Sequence, residues 1–211
     1  MLRIAKKARD SGNQEAAISF YNKALERDQD NAEALLGLAV TYIDMNLIDA
    51  AKEYVKKAEK KGCNPKKAAY LRGKICLLSG NISGAEKEFR KDDSADSLNA
   101  LGAVHDSRGE HHRAQELYKQ VIAKSPNYVD AYNNMGLSLM LCNKYQEAIF
   151  YMESACALPG STAANRSNLA LVYGLSGNID KAKAVYAQDL EGEELAEKIS
   201  YLEDIIAAKE I

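Results

Sequence analysis

The sequence predicts an all-α protein: a superhelical solenoid of about six helix–turn–helix repeats, the third one shortened, closed by a C-terminal capping helix. Two observations lead to this prediction. Small residues recur along the chain at a nearly constant interval. The composition also favours helix almost throughout, because Ala, Leu, Lys and Glu abound and only 3 of 211 residues are proline.

The small residues form three series in register. The first has spacings of 34, 34, 29, 34 and 34 residues and consists of Ala5, Ala39, Gly73, Gly102, Gly136 and Ala170. The second follows 12 residues later, at Ala17, Ala51, Ala85, Ala114, Ala148 and Ala182. The third lies 7 residues further, at Ala24, Ala58, Asp92, Val121, Ala155 and Asp189. Because larger side chains would push closely crossing helices apart, we predict that small residues mark the crossing points of antiparallel hairpins.

Turn signals separate the first series from the second. They are Gly12-Asn13, Gly80-Asn81, Gly109-Glu110 and Gly177-Asn178. Glycine and asparagine tolerate the left-handed conformation that ends a helix. The whole pattern resembles the tetratricopeptide repeat (TPR) and covers nearly the whole chain. The resemblance implies a right-handed superhelix, with an array over 1–190 and units near 1–31, 32–65, 66–94, 95–128, 129–162 and 163–190.

The third unit departs from the pattern. It is five residues short, and Asp92 stands where an alanine is expected. We expect its second helix, near 84–91, to end early, and Asp93 or Ser94 to cap the next helix. A local change in superhelical curvature and a harmless deletion are both compatible with this shortening.

Residues 191–211 are predicted to form an amphipathic helix. Its apolar stripe consists of Leu195, Ile199, Leu202, Ile205 and Ile206. A solenoid needs a terminal cap over its last core face, so we expect the helix to serve as that cap. A helix for partner binding or self-association is the alternative.

Net charge gives no indication of nucleic-acid binding, since it is −2. A basic stretch comprises Lys52, Lys56, Lys57, Lys60, Lys61, Lys66 and Lys67. An acidic stretch comprises Glu191, Glu193, Glu194, Glu197, Glu203 and Asp204. Both are interpreted as solvated helix faces, with a docking patch as the alternative. No apolar run approaches the roughly 18 residues of a membrane span, and charges interrupt any apolar core at the N-terminus, which therefore does not resemble a signal peptide.

The sequence offers no residues for catalysis, and we expect no enzyme, no cofactor and no metal site. The four cysteines, Cys63, Cys76, Cys142 and Cys156, are expected to be buried free thiols, because local pairs are too far apart for a disulfide. His105 aligns with packing tyrosines, whereas His111 and His112 follow a turn. The carboxylates Asp92 and Asp93 are expected in an exposed loop.

Recognition is the better hypothesis. The first helix of each hairpin lines the concave face, and a partner-binding groove is predicted at Asn99, Asn133, Asn134, Leu137, Met140, Asn168, Leu171 and Leu175. Asparagine both donates and accepts hydrogen bonds, so it can pair with a peptide backbone. The alternative is that the asparagines cap and space helices while the leucines meet the terminal helix. Co-chaperones that grip a C-terminal carboxylate need basic residues here, where Ala103, Leu137 and Leu171 stand.

The C-terminal residues carry a more specific resemblance. The stretch NLALVYGLSGNIDKAKAVYAQDL at 168–190, followed by ISYLE at 199–203, is similar to the end of TadD-family assembly proteins of the Flp (tight adherence) pilus. The matching positions are Asn168, Leu169, Ala170, Leu171, Tyr173, Leu175, Gly177, Asp189, Leu190, Tyr201 and Leu202.

This resemblance implies a pilotin or adaptor on the periplasmic side of the bacterial outer membrane. Its protein partner would be a secretin or another pilus component, and it would meet the membrane only through a lipid anchor that this chain lacks. We expect the leader and lipidation cysteine to precede Met1. A cytosolic TPR scaffold or co-chaperone, cytoplasmic if Met1 is the true start, is the alternative.

Overall fold

The computed structural model describes residues 1–209, which form thirteen α-helices and no strand. Their bounds are α1 (Leu2–Asp10), α2 (Gln14–Arg27), α3 (Ala32–Asp44), α4 (Ile48–Lys60), α5 (Pro65–Leu78), α6 (Ile82–Phe89), α7 (Ala95–Asp106), α8 (His111–Lys124), α9 (Val129–Leu141), α10 (Tyr145–Ala157), α11 (Ala163–Leu175), α12 (Ile179–Tyr186) and α13 (Gly192–Lys209). The chain divides into unit 1, Met1–Ser97, and unit 2, from Leu98 onward. The all-α solenoid of helical hairpins is confirmed.

Helix starts and turns follow from asparagine and glycine. In unit 1 the side chains of Asn13, Asn31, Asn64 and Asn81 each accept a backbone N–H at the start of a helix. Four turn glycines have positive φ, at 78° for Gly12, 72° for Gly80, 74° for Gly109 and 87° for Gly177. These are the predicted turns, and glycine adopts this conformation without steric cost.

The small residues lie at the helix crossings. All six alanines of the second series are fully buried, as are Ala5, Ala39 and Ala170. A Cβ added to Gly73, Gly102 or Gly136 would lie 2.4 Å from the side chain of Phe89, Tyr118 or Met152 respectively. In each of these three hairpins, only glycine at this position lets the first and second helix approach so closely.

Helix α13 packs on the last hairpin of unit 2. Leu202 is 1% exposed, and its Cδ2 lies 2.5 Å from the position that a Cβ of Gly174 would take. Leu195 and Ile206 join the same apolar cluster, and Ile199 and Ile205 are half-buried. The predicted stripe is thus the face that α13 turns towards α11.

The shortened third repeat ends in a polar turn in which Asp93 and Ser94 are exposed, as expected for Asp93, but the Asp92 side chain is not. Helix α6 has only 8 residues, and Ser94 accepts the Ser97 N–H at the start of α7. The Asp92 side chain is only 6% exposed and accepts hydrogen bonds from Ser94 and Ser97. The expectation that Asp92 is exposed was wrong, because serine hydroxyls and Lys66 compensate its buried charge. The change in curvature stays a prediction.

The cysteines also required a correction. All four are free, but each is half-buried where full burial was expected. Burial still raises the pKa of the Cys63 and Cys156 thiols, which lowers their reactivity at neutral pH.

Candidate partner-binding groove

The four predicted asparagines lie on three first helices of unit 2. Asn99 is on α7, Asn133 and Asn134 are on α9, and Asn168 is on α11. Each side chain is half-buried, so each keeps access to the surface. They occupy positions two or three residues before the small residue of the first series, which places them on corresponding faces of successive helices.

The structure joins these asparagines into one hydrogen-bonded chain, which we call the asparagine ladder. Asn168 Nδ2 donates to Asn133 Oδ1 at 2.9 Å. Asn133 Nδ2 lies 3.4 Å from Asn134 Oδ1, and Asn134 Nδ2 donates to Asn99 Oδ1 at 3.1 Å. The amides therefore bridge neighbouring helices. Of the alternative that these asparagines cap and space helices, capping is thus excluded.

The ladder leaves most of its hydrogen-bonding capacity unused. Each amide has two N–H donors and an oxygen with two lone pairs, and one donor per bond is consumed between neighbours. Each bond also restricts the rotamers of the amides that it joins. A partner backbone would thus meet ordered groups, with less side-chain entropy lost on binding.

Apolar side chains flank the ladder. Leu137, Met140, Leu171 and Leu175 are all half-buried, and the first three pack against the core of unit 2. Sequence reasoning missed Leu141, which is 59% exposed and directly follows Met140. Its position one turn beyond Leu137 was the signal that could have found it.

Helix α13 borders this face at α11. Gly174, which Leu202 covers, stands four residues after Ala170, a position that the repeat register assigns to the groove. A separate cavity of about 210 Å³ is lined by residues of α11, α12 and α13 that include Ala164, Ser167 and Lys198. The terminal helix therefore contacts Gly174, whereas the alternative that the leucines of this face meet that helix stays a prediction.

A largely buried polar cluster in unit 2 links α7 to α8 and α9. Asp106 accepts hydrogen bonds from the hydroxyls of Tyr118 at 2.8 Å and Ser138 at 2.7 Å, and its carboxylate lies 2.8 Å from His111 Nδ1. Burial, together with the Asp106 charge, raises the pKa of Tyr118, which keeps that hydroxyl a donor. This cluster went unnoticed in the sequence because its members are far apart.

Two of the three histidines, His105 and His111, contact carboxylates. His105 is 4% exposed and its Nδ1 lies 2.8 Å from Glu110 Oε2, whereas His112 is exposed.

Within residues 1–209, no group of three or more His, Cys, Asp or Glu side chains is placed to hold a metal ion. In the same part of the chain, no helix has the length and apolar character that crossing a bilayer requires.

The basic stretch is largely neutralised. Lys57 pairs with Glu53 at 2.6 Å, Lys52 with Asp49 at 3.3 Å, and Lys61 with Asp30. Lys66 pairs with Asp93 at 2.8 Å. This pattern agrees with solvated helix faces.

Models of the tetratricopeptide repeat family match residues 8–75, 94–125 and 117–150. Comparison with curated proteins gave no match. Among solved structures, the chain is similar to MamA, with 31% identity, 74% of this chain and 87% of that chain covered, and a TM-score of 0.52.

Two less identical structures share the fold over most of both chains. PilW, described as a type IV pilus biogenesis factor, has 18% identity, coverage of 92% of this chain and 94% of its own, and a TM-score of 0.75. PilF of Pseudomonas aeruginosa has 18% identity, coverage of 89% and 87%, and a TM-score of 0.69. With the repeat geometry, the family-model matches and the identity to MamA in hand, we conclude that this chain belongs to the tetratricopeptide repeat family.

Proposed function

We propose that this protein is a non-enzymatic adaptor that binds a segment of a partner protein along the asparagine ladder of unit 2. The ladder carries the proposal: four amides on three successive first helices are linked at 2.9 to 3.4 Å and keep unused donors and acceptors. Amides satisfy a backbone without requiring a charged sequence.

The flanking side chains define the chemistry of the partner segment. Leu137, Met140 and Leu171 supply half-buried apolar surface beside the amides. A segment that alternates backbone contacts with aliphatic side chains fits this combination. A free carboxylate does not, because Ala103, Leu137 and Leu171 offer no cation.

In a finer form of the proposal, the adaptor is a pilotin or assembly factor of a Flp/Tad-type pilus machine. Its partner is then a secretin or another pilus component, on the periplasmic side of the outer membrane. The support is the TadD-like pattern at the C-terminus, which ends in Asp189, Leu190, Tyr201 and Leu202. Fold similarity to PilW and PilF is compatible with this role but extends to architecture alone.

The test is crosslinking and capture from the native host with the double variant Asn134→Ala/Asn168→Ala. We expect the wild type to capture a pilus component and the variant to lose it, with unchanged helical content. Gln120→Ala/Gln146→Ala is the matched control, since both amides are exposed on second helices. Equal capture by both variants and the wild type contradicts the groove assignment.

The identity and compartment of the captured partner decide between the finer proposals. A secretin, together with outer-membrane fractionation of the native protein, supports the pilus adaptor. A cytosolic chaperone, together with a cytoplasmic native protein, supports the co-chaperone or general scaffold instead. A lipoprotein leader encoded upstream in the gene would agree with the first.

A further inference from the structure

Unit 1 has a groove of its own, with chemistry unlike that of the asparagine ladder. A cavity of about 780 Å³ is lined mainly by α1, α3 and α5, and Tyr21 of α2 also lines it. We call it the N-terminal groove and define it by Arg3, Lys6, Leu36, Val40, Tyr70 and Lys74. These residues stand two or three positions before, or one position after, Ala5, Ala39 and Gly73. They are therefore the unit 1 counterparts of the ladder positions.

The charge of this groove is positive. Four cations line the cavity (Arg3, Lys6, Lys67 and Lys74), and no carboxylate among the described residues lies within 4.0 Å of their charged groups. A fifth cation, Arg9, pairs with Asp10 at 2.8 Å. The only carboxylates lining the cavity within unit 1 are Glu33 and Asp96. Unpaired cations in one concavity concentrate positive potential, although the whole chain has a net charge of −2.

The floor of the groove is apolar. Leu36 is 9% exposed and Leu71 is 4% exposed, and half-buried Val40 also lines the cavity. A cavity of about 780 Å³ lies within the range of about 300–1,000 Å³ that is typical of ligand-binding clefts. An anion alone would leave this floor unused, and a purely apolar segment would leave the cations unpaired.

We propose that the N-terminal groove binds an acidic segment of a partner protein that also carries aliphatic side chains. The carboxylates meet Arg3, Lys6 and Lys74, and the aliphatic side chains cover Leu36, Leu71 and Val40. This surface is separate from the asparagine ladder, and the proposal does not depend on the function proposed for unit 2. Charge complementarity gives the interaction its rate and specificity, whereas the apolar floor slows dissociation.

The probe is a fluorescein-labelled peptide of alternating Glu and Leu, measured by fluorescence anisotropy with the full chain. Two matched peptides carry Lys in place of each Glu or Ser in place of each Leu. We expect binding of the Glu–Leu peptide that weakens with added salt, and much weaker binding of both matched peptides. Equal binding of the Glu–Ser peptide would overturn the role of the apolar floor, and with it the proposal.

Two charge-reversal variants separate the groove from the overall charge. Lys6→Glu/Lys74→Glu alters the groove, and Lys56→Glu/Lys60→Glu changes net charge equally on the exposed face of α4. We expect the first to weaken binding roughly tenfold or more and the second to change it less than about twofold. Equal losses would overturn the proposal. Circular dichroism checks that both variants stay helical.

Two further measurements exclude other occupants. A single-stranded oligonucleotide that displaces the peptide at equal charge concentration identifies a nucleic-acid site and contradicts the proposal. Sedimentation of the chain at rising concentration tests a second copy as occupant. Self-association that disappears in Lys6→Glu/Lys74→Glu would overturn the assignment to a different protein, whereas a monomer in both cases supports it.

Discussion

Asp92→Ala is predicted to destabilise the start of α7 more than any other single loss of charge in unit 1. The Asp92 carboxylate accepts the Ser97 hydroxyl at 2.8 Å, the Ser94 N–H at 3.2 Å and the Ser94 hydroxyl, and lies 3.7 Å from Lys66 Nζ. Only 6% of its side chain is exposed. Alanine removes every one of these interactions at once.

The size of the effect depends on which partners water can reach. Ser94 is exposed, so water replaces its lost hydrogen bonds, whereas Ser97 is fully buried and loses its acceptor. A hydrogen bond to a charged group contributes about 1.5–3 kcal/mol, and an unsatisfied buried hydroxyl costs a similar amount. We therefore expect Asp92→Ala to lower the free energy of unfolding by about 2–3 kcal/mol at neutral pH. Asp92→Asn, which keeps the shape, should lose about half of that.

The pH dependence has a definite sign. Burial alone would raise the pKa of Asp92, but the hydrogen bonds from Ser94 and Ser97, helped by Lys66, outweigh burial and lower it. A carboxyl whose folded pKa is depressed stabilises the fold above its unfolded pKa and loses that contribution as pH falls through its folded pKa. The difference between wild type and Asp92→Ala should thus be full at neutral pH and shrink below about pH 4.

Urea denaturation followed by circular dichroism measures these differences, and amide hydrogen exchange locates them. Protection of the first turn of α7 should fall in Asp92→Ala, whereas Asp93→Ala, with a side chain that is 73% exposed, should change stability by less than about 0.5–1 kcal/mol. The reasoning is refuted if Asp92→Asn matches the wild type, or if Asp92→Ala costs as little as Asp93→Ala.

Three further predictions concern packing and thiol reactivity. Gly136→Ala gains about 1 kcal/mol of helix propensity but places a Cβ 2.4 Å from Met152, so urea titration should show a net loss of about 1–2 kcal/mol. Leu202→Ala should cost about 2–4 kcal/mol and release α13 from α11, measured as lost exchange protection in α13; unchanged protection would contradict its role as a cap. Cys156 should react more slowly with a thiol reagent at pH 8 than free N-acetylcysteine does, because burial raises the pKa of its thiol; an equal rate would show that the thiol is accessible and ionised.

The hairpin packing could be predicted because it depends on contacts within one repeat. Gly102 contacts Tyr118 of the next helix, and the corresponding pairs Gly73–Phe89 and Gly136–Met152 have the same separation in sequence. The face of the asparagine ladder followed from the same register. Its hydrogen bonds could not be predicted, because the bond from Asn168 to Asn133 depends on the relative heights of neighbouring helices, which no single-sequence pattern specifies.

The N-terminal groove was missed for a different reason. Arg3, Lys6 and Lys74 are far apart in sequence, and each one alone is typical of a solvated helix face. The lysines of 52–67 form the more evident basic stretch, but the fold neutralises several of them with nearby carboxylates. The groove positions of the first three repeats, counted from Ala5, Ala39 and Gly73, include these separated cations and would have predicted that they share one face.

The two breaks in the third series of small residues have one structural explanation. Asp92 and Asp189 each follow a second helix of only 8 residues, α6 or α12, whereas α4, α8 and α10 have 13 or 14. In the longer helices the third-series residue is a buried apolar side chain in the last turn, as for Ala58, Val121 and Ala155.

In the shorter helices the same position falls beyond the helix end, among polar groups. A carboxylate there replaces packing by charged hydrogen bonds: Asp92 to Ser94 and Ser97, and Asp189 to Arg166 at 2.7 and 2.6 Å. The substitution of aspartate for alanine and the shortening of the helix are therefore one change, and together they mark where each of the two helices that start nearby, α7 and α11, is held in place.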